Sequence, residues 1–572
     1  MPGLDRRTFL VTGLVTGLVT GLVTGLAAAI PAPASADPAP TPSPSTPGAE
    51  AGAAARGLCS DPFTLGVASG DPDHAGFVIW TRLAPRPLAE DGLGGMPPIV
   101  VPVRWQVYDD ECCRRVVREG VADASPEWGH SVHVEVDHLR PGREYWYRFR
   151  AGPYVSPAGR ALTAPDPASF GGPLTMAFVS CAQYEHGYFT AYRRLAEDHP
   201  DLVLHLGDYQ YEYARDTYVA PTGNVRDHEG PETVTLADYR RRHAQYKTDP
   251  DLRAAHAAAP WLVVFDDHEV DNNWAGETPA HPEERPAFGQ RREAAFRAYY
   301  ENMPLRRTSV PCGAGMRLYR RVGWGRMATF HLLDTRQYRD DQACGDGYKD
   351  CPEAADPARS ITGAEQEAWL LDGFRRSAAR WDVIAQQVFF ARRDSDAGPG
   401  TRTSQDAWDG YAASRRRITQ GWVDARVRNP VVLTGDVHAH WASDLKLDYD
   451  DPAGPTVGSE LVTTSVSTTG DGADSDPADH PFLRINPHLR FYNDQRGYVL
   501  TRVEPEAMTA DFRVVPRVSV PGAEAYSRAT FVVEDRVPGV QQTYLRPFSP
   551  PIAARTAGVT AEDTIRQETE RP

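Results

Sequence analysis

Positive charge is in deficit in this chain. Its 61 Lys and Arg face 77 Asp and Glu, for a net charge of −16 over 572 residues. That deficit argues against a general polyanion-binding surface such as a nucleic-acid groove. An anionic ligand would have to be drawn in locally, most simply by bound cations. Long apolar runs are missing after the N-terminus, so no later stretch is expected to span a membrane. Cysteine is sparse, at seven: Cys59, Cys112, Cys113, Cys181, Cys312, Cys344 and Cys351. An odd number leaves at least one thiol outside any set of disulfides.

What is present reads as an ordinary globular protein of two or more domains, with enough length to bury a core. The first 36 residues stand apart. "DRRTFL" carries Arg6, Arg7, Phe9 and Leu10, and four copies of VTGL run from Val11 to Leu26. "ASAD" then offers a small-residue cleavage site after Ala36. The pattern predicts a twin-arginine (Tat) signal peptide over 1–36, the Tat export machinery as a partner and a secreted, extracellular product. The competing reading is an N-terminal membrane anchor, but Thr and Gly make the run weakly apolar. Residues 37–57 are rich in Pro, Ala and Ser and read as a disordered linker. In an exported chain Cys344 and Cys351, flanking a short Gly/Asp-rich loop, read as a local disulfide. Cys181 is the thiol expected to be free, and Cys112 and Cys113 read as structural.

Two grammars follow. Over 58–165 short strands alternate inward and outward residues, as in "GFVIWTRL" and "VRWQVYDD". "HLRPGREYWYRF" places Leu139, a Pro141–Gly142 turn, Tyr145 and Tyr147 in the pattern of a tyrosine corner. This predicts an immunoglobulin- or fibronectin-III-like β-sandwich without chemistry of its own. Over 166–535 strands such as "LTMAFVSCAQ", "DLVLHLGD", "WLVVFDDHEV", "WDVIAQQVFF" and "PVVLTGDVHAHW" alternate with helices, which predicts a layered α/β domain. Thr362 with Glu365 three residues later reads as a capping box. Residues 536–572 read as a C-terminal tail and a possible lid.

The polar residues cluster just after strand ends, where α/β folds place their sites. The clusters are Ser180 to Glu185, Gly207 to Tyr211, Asp266 to Asn273 and Gly435 to His440. One Asp–His pair at a strand end is more often a cap or an ion pair. Four such clusters in one domain point to metal. Two adjacent cations lower the pKa of bound water and clamp phosphate oxygens, and they need a carboxylate that can bridge them.

The order of these clusters resembles the metallophosphoesterase superfamily of purple acid phosphatase type, with three departures. Cys181 stands near the first Asp of that pattern, Asp267 replaces an Asn, and Asp436 replaces a His. Together with "FTLGVASGDP", "FVSCAQYEHGYFTAYR", "LHLGDYQYEY", "FDDHEVDNNWAG", "LLDTRQYR" and "LTGDVHAHWASDL", the departures resemble the PhoD-type alkaline phosphatases. The resemblance implies an N-terminal β-sandwich followed by a layered αββα metallophosphoesterase domain. It implies Fe3+ held by Cys181, Asp208, Tyr211 and His438, and Ca2+ (one or two ions) held by Asp208, Asp267 and Asp436. Thiolate and phenolate suit a trivalent ion, and carboxylates suit calcium.

On this reading the chain hydrolyses phosphomonoesters or phosphodiesters by metal-hydroxide attack, as a monomer. His268 orients substrate or protonates the leaving oxygen, with Glu269 or Asp266 holding its ring. Arg336 is expected on a substrate oxygen, with a surface ion pair as the alternative, and Asn273 is favoured over Asn272 for phosphate or calcium. His440 is expected beside the centre or exposed. The same family includes a secreted phospholipase D, so release of phospholipid head groups stays open. So does a non-catalytic surface-binding protein, against which the intact ligand set argues.

Overall fold

Four of the short apolar runs become strands with every residue buried: Leu202–Leu206, Pro260–Val264, Trp381–Ala385 and Pro430–Thr434. A strand buried on both faces needs cover on both sides, which layered α/β packing supplies. In the computed structural model, which describes residues 58–548, these runs sit at the centres of two sheets. The expected signal peptide and linker, and the chain beyond residue 548, lie outside the described residues.

The first sheet has ten strands, and its parallel centre joins Leu174–Val179, Leu202–Leu206 and Pro260–Val264 in that order. The second has seven, and its parallel centre joins Ala328–Leu332, Trp381–Ala385, Pro430–Thr434 and Thr456–Val462. Side-chain alternation divides the burial between two cores. Val383, Ala385, Val431 and Leu433 enter the core shared with the first sheet. Ile384 and Val432 enter a second core beneath the helices Gly363–Arg376 and Ala412–Asp424. Helices Thr190–Glu197, Leu236–Lys247, Pro250–Ala258 and Arg285–Asn302 add Tyr192, Tyr246, Leu252 and Phe296 to the first core. The result is the expected order of layers: helices, sheet, sheet, helices.

Two sequence expectations need correction, on the tail and on a helix cap. The region 58–165, expected as a β-sandwich, also shares a sheet with the rest. Its strands Val67–Gly70, Phe77–Arg82 and Ser131–Val136 form one edge of the ten-stranded sheet, with Ser69 opposite Pro260 and Gly70 opposite Trp261. That interior position is why Phe77–Arg82 is buried throughout instead of alternating. A separate five-stranded sheet packs over these strands on Phe77, Ile79, Val103, Val134 and Tyr147. The expected tyrosine-corner bond is present, with Arg140 N–H donating to the Tyr145 hydroxyl at 2.9 Å.

The stretch from residue 536, expected as a tail, begins as sheet. Val537–Leu545 is the outer strand of the ten-stranded sheet, paired with Tyr526–Glu534 through a tight turn. Finally, the Thr362 side chain makes no cap, because its Oγ1 is buried without a partner and Glu365 accepts from the Tyr319 hydroxyl instead. The capping box forms elsewhere, between Thr235 and Asp238.

Candidate metal centre

The strands that carry the polar clusters end in backbone that side chains seldom adopt. Cys181, Asp208, Asn273, Asp436 and His438 all have φ between 47° and 67°. Each such residue costs on the order of 1–3 kcal/mol, and clusters of them mark functional sites. Gly207, at φ 106°, lets the chain pass Asp266: a Cβ there would lie 2.4 Å from the Asp266 Cβ. A Cβ on Gly435 would lie 2.7 Å from the Cβ of Ser180. The two sheets therefore meet at these strand ends, and a bridge between Ser180 and Ser465 ties them there.

That convergence brings several of the residues expected as ligands close together. Cys181, Asp208 and His438 present ligand atoms within 4.8 Å of one another, and so do Asp208, Asp267 and His268. Asp208 belongs to both groups. The Tyr211 hydroxyl donates to Asp208 Oδ2 at 2.9 Å and lies 3.4 Å from His438 Nε2, while Thr468 Oγ1 donates to it at 3.0 Å. Cys181 Sγ is buried, 3.1 Å from Ser180 Oγ. Asp436 is half-buried and outside both groups, within electrostatic reach of Asp266 and Asp406.

The donor set fits cations on two counts. Asp208 Oδ1 and Asp266 Oδ2 are buried without a hydrogen-bond partner, where most buried polar atoms have one. Burial first, and neighbouring acids second, push the carboxyls of Asp208 and Asp436 and the Cys181 thiol well above their usual ranges. A bound cation reverses that balance and favours the charged forms. For Asp267 burial works against the charge, but Arg336 and His268 outweigh it and hold the carboxyl below its usual range.

The supporting residues differ from those the sequence suggests. The ring of His268 is held by Glu212, with Nδ1 2.9 Å from Glu212 Oε2, and not by Glu269 or Asp266. Glu212 Oε1 also accepts the Asn272 N–H at 2.9 Å. Glu269 is a backbone clamp: it accepts the N–H groups of Asp208 at 3.1 Å, Asp266 at 2.7 Å and Tyr209. Burial pushes its carboxyl up to about 8.

Arg336, expected to meet substrate, is fully buried and spent on acids. Its Nε donates to Asp266 at 2.5 Å, Nη1 to Asp406 at 2.9 Å and Nη2 to Asp267 at 3.3 Å. Asn273 gives its backbone N–H to Asp267 Oδ2 at 2.7 Å and its side-chain amide to Asp346 at 2.7 Å. His440 is neither exposed nor among the ligand groups: Nδ1 accepts the Thr464 N–H at 3.1 Å and Nε2 faces the Arg513 carbonyl at 3.4 Å. Cys344 and Cys351 form the expected disulfide. Cys112, Cys113 and Cys312 carry none, so Cys181 is not alone as a thiol.

Residues 176–512 match the model of the PhoD-like phosphatase family, and residues 49–165 match its N-terminal domain. The chain belongs to the PhoD-like phosphatases. It is 48% identical over 516 residues to alkaline phosphatase D of Bacillus subtilis (strain 168), covering 90% of this chain and 87% of that one. A solved structure described as the structure of PhoD superposes with a TM-score of 0.83 at 49% identity, covering 86% of this chain and 94% of the other. Like its relatives, this PhoD-like phosphatase is a hydrolase of phosphoric esters. Among the described residues no helix is long and apolar enough to cross a membrane.

Proposed function

We propose that the chain is a secreted phosphoesterase of the alkaline phosphatase D type whose residues would hold iron and calcium side by side, with Asp208 common to the two sets of ligands. The membership of Asp208 in both ligand groups carries this reading. Cys181, Tyr211 and His438 join it on the side of the soft and phenolic donors, suited to Fe3+. Asp267 and Asp436 join it on the carboxylate side, suited to one or two Ca2+. When bound there, the cations would lower the pKa of water and offset the charge of the phosphate oxygens.

The chain's own residues do the rest. Glu212 fixes the His268 ring so that Nε2, 3.9 Å from Asp267 Oδ2, faces the centre. There it orients the ester or gives a proton to the departing oxygen. Arg336 positions Asp266 and Asp267 from behind, and Asn273, whose N–H meets Asp267, would serve the calcium side or a phosphate oxygen. The twin-arginine segment supports export.

The deciding experiment measures turnover on two substrates in parallel, with metal content determined on the same preparation. A soluble aryl phosphomonoester at alkaline pH is compared with phosphatidylcholine in mixed micelles scored for free choline. Rapid monoester release supports the phosphatase reading. Dominant choline release would transfer the same centre to lipid diesters. Full activity of Asp208→Ala would overturn the two-cation centre itself.

A further inference from the structure

Beside His268 lies a group of aromatic rings that the chemistry above leaves unused. The Tyr213 ring is 5.4 Å from the His268 ring and 5.6 Å from the Tyr218 ring, which it meets at 74°. Tyr218 in turn lies 6.4 Å from the ring of Tyr211 and 4.5 Å from that of His186. Tyr211 and His268 are buried, whereas Tyr213 and Tyr218 are half-buried. The two outer rings thus form a right-angled corner at the edge of the centre. The next residue, Val219, is 52% exposed.

The main chain of this segment is held by hydrogen bonds. The Tyr213 carbonyl faces His228 Nδ1 at 3.0 Å, and the Tyr218 carbonyl faces His186 Nε2 at 3.0 Å. Asp216 N–H donates to Glu185 at 3.2 Å, and Ala220 N–H to Asn224 at 3.1 Å. A pinned backbone carrying two half-buried tyrosines beside His268 is a rigid, low-entropy surface.

Its place says what it binds. His268 is the group that would serve the departing oxygen, so the leaving group lies on the His268 side, where the Tyr213 ring stands. We propose that Tyr213 and Tyr218 form the leaving-group subsite and select esters whose leaving group is a flat aromatic ring. Such a ring can stack on one tyrosine while meeting the other edge to face, the arrangements aromatic pairs favour. The inference rests on the phosphoesterase reading of the centre and adds the class of leaving group.

The test uses the metal-loaded full chain and two non-hydrolysable probes, phenylphosphonate and methylphosphonate. Each is measured as a competitive inhibitor of one common phosphomonoester. The wild type is expected to bind the phenyl compound about ten-fold more tightly, a preference of the size aromatic contacts supply. Tyr213→Ala and Tyr218→Ala are each expected to cut that preference several-fold and to leave the methylphosphonate constant unchanged. Tyr213→Phe and Tyr218→Phe should retain it. Tyr213→Leu, which keeps apolar bulk, replaces the Ala variant if that one fails to fold, and should lose the preference too.

A wild type without preference overturns the proposal. So does an Ala variant in which both constants rise together, since that marks a prop and not a subsite. Absence of inhibition by methylphosphonate in a wild type that turns over would overturn the reading of the centre, a result separable from loss of the phenyl preference alone.

Discussion

Glu212 accepts two hydrogen bonds at once, one from the His268 ring and one from the main chain of Asn272. Removing half of that capacity should disturb the reaction more than the fold. Glu212→Gln is expected to lower kcat by about 10- to 100-fold, the range seen when a partner of a site histidine is lost. KM and metal content should hold within about two-fold. Steady-state kinetics with metal analysis checks this, and a joint loss of metal and fold would assign Glu212 to structure alone. Arg336 sits at the opposite extreme. It neutralises Asp266, Asp267 and Asp406 in a site closed to solvent. Arg336→Met should cost about 3–5 kcal/mol, because it strands buried charge. A denaturant titration reads that directly. Arg336→Lys should recover only part of it, since a lysine cannot fork to three carboxylates.

At the scale of the element, the loop closed by Cys344 and Cys351 reaches into the centre. Asp346 on that loop accepts from the Asn273 side chain, and Gln342 beside it donates to the Asn273 carbonyl and to Asp406 at 3.0 Å each. Closing so short a loop is worth roughly 2–3 kcal/mol by chain entropy. The double variant Cys344→Ser/Cys351→Ser should therefore open residues 342–351 to limited proteolysis. It should also raise KM a few-fold, with the rest of the chain resistant to cleavage.

The elements were readable where physics is local. Runs such as "LVLHL" and "PVVLT" declare buried strands, and the polar residues after them declare a site. Pairing partners were not readable. Nothing in "FVIWTR" says that its sheet continues into Pro260–Val264, because pairing is decided across distance. Among the site residues the polar clusters were legible at the strand ends, and the family resemblance supplied the ligand set. Glu212 sat in plain view beside Tyr211, yet only the fold aims it at His268. Asp406 and Asp346 gave no signal, since each meets the centre from a distant segment.

The whole molecule should respond to pH through a buried acid outside the ligand groups. Glu460 accepts the N–H groups of Phe390 at 2.8 Å and Ala391 at 2.9 Å and the Thr434 hydroxyl at 2.8 Å. Burial nonetheless prevails over these donors and pushes its carboxyl from 4.5 up to about 7. A folded pKa above the unfolded one means that the fold favours the neutral acid. The contribution is complete below about pH 4.5 and is lost as pH rises through about 7, to a total of about 3 kcal/mol. Denaturant midpoints should therefore fall across that window. Glu460→Gln should flatten this part of the slope, at the cost of one acceptor.

The shared ten-stranded sheet has a consequence for how the chain is made. Strand Val67–Gly70 leaves the ribosome early but takes its parallel neighbour from Pro260–Val264, and the Trp80 indole bonds to the carbonyl of Glu301, 221 residues downstream. Until those residues emerge, the nascent chain holds an unpaired sheet edge, the surface on which chains aggregate. The order of synthesis is not the order of assembly, and an early strand is completed by residues from the middle of the chain.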